Sequence, residues 1–246
     1  MRNLTRKEGV LAISIAVILM IMCSIILYFR VNSLNDRMTS LEIQLEERQK
    51  AEEELLDSLD QIKTNQEELK RIENERLKKE QEHAQAVHTA KTMVLSDNTD
   101  IGNNVKLTSA DMNKIIDKWD AHVKNGTAFK GKGDAFIEAS RQTGLNPIYL
   151  FAIASLESGF GNSYIAQIKH NYFGINAVDD SPYESSTYMG DNVKEGIING
   201  AHWIKKNFYD HGYTTLASME SGGYSTAKGK WSRDITHIAN TSATYL

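Results

Sequence analysis

Two prolines, one cysteine and seven histidines are spread over 246 residues, and each scarcity removes a class of protein. The single thiol, Cys23, closes no internal disulfide, so the fold must be held by packing and not by cross-links. No Cys/His cluster has zinc-ligand spacing, and neither a metal nor another cofactor is expected. Net charge is scarce as well: 28 Lys and Arg against 32 Asp and Glu leave a formal charge of -4. Past Ser96 there is no basic stripe or clustered Lys/Arg face, so nucleic acid is not an expected partner.

What is present comes in blocks. Gly9 to Phe29, "GVLAISIAVILMIMCSIILYF", is uncharged and matches the roughly 20 apolar residues that a membrane-crossing helix needs. The run exceeds the ~7–15 residue apolar stretch of a signal peptide, and no A-x-A-like cleavage site follows it. Cys23 is preceded by Met22, which does not fit a lipidation site; it reads as a membrane-buried cysteine. Arg2, Arg6 and Lys7 outweigh Glu8, so residues 1–8 are expected in the cytoplasm, with Arg30 and Arg37 arguing weakly against this.

Residues 31–94 contain neither proline nor glycine and read as a helical stalk. Leu34, Met38, Leu41, Leu45, Leu55, Leu59, Ile62 and Leu69 follow a heptad seam, which Arg48, Glu52, Gln66 and Glu73 interrupt. Some sixty helical residues make a rod of about 90 Å. Homodimerisation through the seam is one reading, a solvated single helix the other. His83 and His88 are expected on its exposed surface. Residues 95–107, with "SDNTDIGNN", read as a linker, and residues 108–246 as one domain.

Within that domain the helical period recurs. Thr108 and Asp111 make a capping box before Met112, Ile115, Ile116 and Trp119. A second helix, "DAFIEASRQTG", stops at Gly144, and Asn146-Pro147 start a third. The period disappears between Ile175 and Asp191, where a small β-rich lobe is expected. Asn192 opens a helix with Glu195 as a capping residue and Val193, Ile197, Ala201, Ile204 and Phe208 on one face. Trp231, Ile235 and Ile238 mark a last helix. The fold class is mainly α.

One acid is out of character. Ile148, Leu150, Phe151, Ile153 and Leu156 cover most of the third helix, yet the run ends on Glu157, just before Gly159 and Gly161. A carboxyl against an apolar wall prefers its neutral form, and so can hold a proton for delivery near neutral pH.

These residues carry a resemblance. "FIEASRQTGLNPIYLFAIASLESGFGNS", then "HNYFGI", then "GGYSTAKGKWSRDITHIAN" resemble the glucosaminidase domain of glycoside hydrolase family 73, over roughly Gly133 to Asn240. The family comprises lysozyme-like peptidoglycan hydrolases, and the likeness is to its membrane-anchored autolysin and phage types. Its most specific element is Glu157, Ser158, Gly159, Gly161 and Ser163, reinforced by Asn171, Phe173 and Gly174. The resemblance implies a lysozyme-like α-helical domain that cleaves the β-1,4 glycosidic bonds of peptidoglycan strands as an endo-β-N-acetylglucosaminidase.

Residue by residue, it implies Glu157 as general acid and Tyr224 as the family's late tyrosine. Here "YSTAK" replaces the usual Tyr-Ala-Thr-Asp, so the family aspartate is missing. Ser158, Asn171, Phe173, Tyr188 and Trp231 are expected to bind substrate. Glycoside hydrolysis normally needs a second carboxylate, about 5–5.5 Å from the first for retention and 6.5–9.5 Å for inversion. Asp179, Asp180 and Glu184 are the candidates, with Glu184 preferred; failing one, the substrate's own acetamido group can assist. Glu138 and Glu220 read as surface charges. A muramidase or lytic transglycosylase is the alternative enzyme, and a wall-binding scaffold the non-catalytic one. The implied location is the cell membrane, crossed once, with the domain outside facing the wall.

Overall fold

The computed structural model describes residues 2–103, 105–178, 180–227 and 229–246, with side chains from Lys7 onward. Helix α1, Arg2–Thr92, is continuous, and the chain divides into two compact units at Glu75/Arg76. In the first unit α1 runs without a break through the apolar segment, because no proline or glycine interrupts it after Gly9. It is long and apolar enough to cross a membrane. The seam residues from Leu34 to Leu69 are all exposed along it.

The second unit, Arg76–Leu246, is built around α4, Pro147–Ser158. Pro147 to Ser155 are buried without exception, as the all-round apolar pattern requires. Each large side chain there contributes roughly 1.5–3 kcal/mol by leaving water. Helix α3, Gly133–Thr143, packs against α2, Ser109–His122, against α4 and against α7, Val193–Asn207. Helix α9, Lys230–Thr244, lies along α4. Phe129, Phe136 and Phe151 meet edge to face, with ring centroids 5.4 and 5.5 Å apart along the series. Short helices complete the described residues of the unit: α5, Tyr164–Lys169; α6, Pro182–Ser185; α8, Leu216–Ser221; and a 3-10 turn, Tyr209–His211.

The expected capping residues take their places. The Thr108 hydroxyl accepts from the Asp111 N–H at 3.2 Å and the Thr108 N–H donates back to Asp111 at 2.8 Å, closing the box on α2. Asn192 accepts from the Glu195 N–H at 3.0 Å, and Glu195 accepts from the Asp191 N–H at 2.9 Å.

Three expectations need revision. His83 is not simply a surface residue: its Nε2 lies 2.7 Å from Asp111 Oδ2. Burial alone would raise the Asp111 carboxyl, but hydrogen bonds from His83 and Thr108 outweigh it and hold the group below its usual range. Residues 95–107, expected as a linker, put Leu95, Ile101, Val105 and Leu107 into the core. The Leu95 N–H donates to Asn240 Oδ1 at 3.0 Å, and Asn240 Nδ2 donates to the Leu95 carbonyl at 2.8 Å. The Ile101 N–H donates to Thr214 O at 2.8 Å, and the Tyr149 hydroxyl to Ser96 O at 2.9 Å. The apolar residues sit at irregular spacing in a polar string, so no period announced them.

The mainly α class stands, but the β-rich lobe is absent: the described residues between Ile175 and Asp191 form turns and the single turn of α6. Side chains of the preceding residues satisfy backbone groups there that a sheet would otherwise pair. The Lys169 ammonium donates to the carbonyls of Tyr183 and Ser186, the latter at 2.8 Å. Asn171 donates to the Ile175 carbonyl at 2.8 Å and accepts its N–H at 2.9 Å.

If residues 95–101 belong to the core, Ile101→Ala is expected to cost about 2–5 kcal/mol in denaturant unfolding of a fragment spanning residues 76–246. A fragment beginning at Lys106 keeps every cleft residue but lacks Leu95 and Ile101. It is expected to melt well below the longer fragment, and equal melting temperatures would show the segment to be dispensable.

Candidate active site

The end of α4 is shaped by a turn with very little room. The Ser158 hydroxyl donates to the Ala154 carbonyl at 2.5 Å and accepts the Gly161 N–H at 2.8 Å, pulling the chain back on the helix. Gly159 and Gly161 have φ of 57° and 82°, and a Cβ on Gly161 would lie 2.7 Å from that of Ala128. Glycine is required at Gly161 for both reasons. Glu157 is thereby left half-buried, one residue short of the bend.

Two walls meet at its carboxyl. The loop braced by Asn171 brings up Gly174, whose φ is +68°, and a Cβ there would lie 2.7 Å from Glu157 Oε2. Phe173 is buried, its ring packed where a Cβ on Gly200 of α7 would stand. From the other side α9 presents Trp231, whose indole N–H donates to Glu157 Oε1 at 2.5 Å. Tyr224 stacks at a tilt on Trp231, with ring centroids 4.8 Å apart, and its hydroxyl donates to the Phe173 carbonyl at 2.9 Å.

These groups border a cleft of about 540 Å³. Phe173 to Val178 form one side, Gly223 to Thr226 with Trp231 another, and Trp203 and Phe208 close it near the end of α7. Glu157 is the only carboxylate among the described residues that line it. Burial pushes the Glu157 carboxyl above its ordinary range, against the Trp231 hydrogen bond, which favours the charged form. Burial, and then the charge of Glu157, push the Tyr224 phenol well above its ordinary value, so it stays neutral and can donate.

The structure therefore brings Glu157, Phe173, Tyr224 and Trp231 together. Ser158 and Asn171 are buried, and their hydrogen bonds are spent on the turn and the loop. Tyr188 is exposed, its hydroxyl bonded to the Asp191 carboxylate, and does not line the cleft. Glu184 is exposed on α6 and does not line it either; Asp180 is likewise exposed. Asp179 lies outside the described residues. Glu138 is paired with Arg141 at 2.6 Å, which holds its carboxyl down to about 2. Glu220, expected as a surface charge, is instead half-buried and reaches the start of α9.

Sequence reasoning missed Trp203, Ser225 and Thr226, and counted Phe208 as core of α7 alone. An aromatic off the apolar face of an amphipathic helix was the available signal for Trp203. Among the described residues no group of three His, Cys, Asp or Glu side chains converges as for a metal ion.

Residues 133–244 match the glucosaminidase family model, described as mannosyl-glycoprotein endo-beta-N-acetylglucosaminidase. A Streptococcus pneumoniae serotype 4 protein provisionally named endo-beta-N-acetylglucosaminidase is 42% identical over 98 residues, 40% of this chain and 15% of its own length. The bifunctional autolysin of Staphylococcus aureus strain Mu50 is 30% identical over 127 residues, covering 44% of this chain and 10% of its own. The chain thus spans a small part of the curated relatives it matches. A crystal structure of a catalytic mutant of S. aureus Autolysin E, in complex with the disaccharide NAG-NAM, is 21% identical with a TM-score of 0.49. It covers 63% of this chain and 76% of its own. The resemblance to glucosaminidases carried by the motifs is upheld over residues 133–244.

The raised Glu157 carboxyl has a consequence for stability. Folding favours its protonated form, so that contribution is complete below the unfolded value near 4.5 and is lost as pH rises through the higher folded value. Glu157→Gln keeps an acceptor for Trp231 and cannot ionise. Its melting temperature is expected to exceed that of the wild type near pH 7, with the gap closing below pH 4.5. A constant gap across that range would show Glu157 to be an ordinary carboxylate.

Proposed function

We propose, on the premise of a glucosaminidase-like domain over residues 133–244, that this chain is an endo-β-N-acetylglucosaminidase of peptidoglycan. The observation that carries the reading is one half-buried carboxyl, Glu157, inclined to its neutral form and set among aromatic rings in an open cleft. A neutral carboxyl beside a glycosidic oxygen protonates the leaving group as the bond to the anomeric carbon lengthens. Aromatic walls suit the apolar faces of sugar rings, and the cleft volume suits a short stretch of glycan. Tyr224 acts mainly by fixing the loop that carries Gly174, through its bond to the Phe173 carbonyl.

For the second role we favour the 2-acetamido group of the substrate, attacking its own anomeric carbon. Glu184 is the enzymic candidate, but it stands outside the cleft lining. Ser185, beside it, accepts the Val178 N–H at 3.0 Å and so ties α6 to the cleft rim. A muramidase or transglycosylase would use the same acid, and a scaffold would use none; the products separate these readings.

We place residues 1–8 in the cytoplasm, residues 9–29 of α1 across the membrane, and the domain on the outer side, reaching the wall from the stalk. The exposed seam from Leu34 to Leu69 leaves a second copy as its candidate partner.

Three measurements test these assignments. Glu157→Gln is expected to lower turnover about 10²–10⁴-fold while remaining folded, and Glu184→Gln to stay near the wild type. Mass spectrometry of digested peptidoglycan is expected to find N-acetylglucosamine at the new reducing ends; N-acetylmuramic acid or anhydro ends would give the reaction to the alternative enzymes. Protease added to intact protoplasts is expected to remove the domain, and protection until the cells are permeabilised would reverse the orientation.

A further inference from the structure

An indole can donate one hydrogen bond and accept none, so a tryptophan held against a carboxyl influences where that carboxyl carries its proton. Trp231 donates to Glu157 Oε1 at 2.5 Å. In a protonated carboxyl the carbonyl oxygen is the better acceptor, so the indole selects the form with C=O at Oε1 and O–H at Oε2. Oε2 is the oxygen turned to Gly174, where the missing side chain leaves open a position 2.7 Å away.

Trp231 needs an anchor of its own. It is the second residue of α9, whose N-cap, Gly229, has no side chain, and the N–H groups of Lys230 and Trp231 turn back to the Ala227 carbonyl at 2.9 and 3.2 Å. Glu220 adds a tie from α8: its Oε2 takes the Gly229 N–H at 2.9 Å and the Ser232 hydroxyl at 3.0 Å. A carboxylate there is also favoured by the helix dipole. The bonds to Gly229 and Ser232 bracket Trp231 along the chain, and Tyr224 covers one face of its ring.

We propose that Trp231 is a positioning residue that assigns the proton of the acid to Oε2, the oxygen facing Gly174, and that Glu220 fixes it there by bonding from the neighbouring helix to Gly229 and Ser232 on either side of it. Trp231 then serves the acid and not a sugar ring. Tyr224 is the other titratable group among the described residues lining the cleft, and it is neutral; the remainder carry no charge. Loss of the indole N–H thus removes the one side-chain hydrogen bond that favours ionised Glu157.

The proposal builds on the glucosaminidase reading, and its test has an arm that needs no turnover. In the full chain, labelled with ¹³C at glutamate carboxyls and held in micelles, the Glu157 signal is identified by its loss in Glu157→Gln. Trp231→Phe is expected to move its titration midpoint to higher pH. In glycan hydrolysis the same variant is expected to lose about tenfold or more in kcat, the order of one hydrogen bond to a charged group, with KM nearly unchanged. The alkaline limb of its pH profile is expected to move upward. Glu220→Ala is expected to follow in the same directions, and Glu220→Gln, whose amide oxygen still accepts both bonds, to restore much of the loss. A rise in KM with kcat and midpoint unmoved would make Trp231 a sugar platform and overturn the proposal. So would a loss of activity matched by a loss of melting temperature with the midpoint unmoved. A wild type without hydrolysis would end the glucosaminidase reading, while the titration still decides the role of Trp231.

Discussion

The site depends on the hydrogen bond from one indole to one carboxylate oxygen. Helix α4 is apolar on every side, and an acid at its end would be costly without a partner. Trp231 meets that need with a neutral donor, where a cation would have held the carboxyl ionised. The acid is therefore satisfied without being locked in its charged form. The surroundings follow from keeping that pair in place: the Ser158 turn ends α4 at the right residue, the Asn171 brace holds Gly174 against the free oxygen, and Tyr224 joins the loop wall to the indole.

Much of this was legible in the sequence because it rests on local rules. The capping boxes, the glycine after α3, Asn146-Pro147 and the all-apolar run of α4 each have a fixed spacing that a linear string displays. Glu157 was visible as the residue that broke its own pattern. What stayed hidden depends on contacts between residues far apart in the chain. Glu220 reads as a charge on a short helix until Gly229 and Ser232 at the start of α9 are placed beside it. His83 reads as surface until Asp111 arrives. Leu95 and Ile101 lie in a polar string whose backbone is matched by Asn240 and Thr214.

The residues at Ile175–Asp191 show a different limit. Their turn residues and short β-compatible runs fit either strands or loops; the described residues form loops, in which Lys169 and Asn171 donate to the Ser186 and Ile175 carbonyls. The motif residues divide in a related way. Ser158 and Asn171 belong to the pattern that marks the cleft, yet both are buried and do their work on the backbone. A motif residue can thus be indispensable to a site without touching what the site binds.

The bond between Trp231 and Glu157 spans 74 positions, and the paired bonds between Asn240 and Leu95 span 145. A chain made from its N-terminus onward exposes α4 and its acid well before either closure can form. Until α9 emerges, the carboxyl has no indole, the cleft lacks a wall, and the start of the domain has nothing to clasp it. Order of synthesis thus separates having the acid from having its indole partner, and a chain cut short before α9 lacks the wall that completes the cleft.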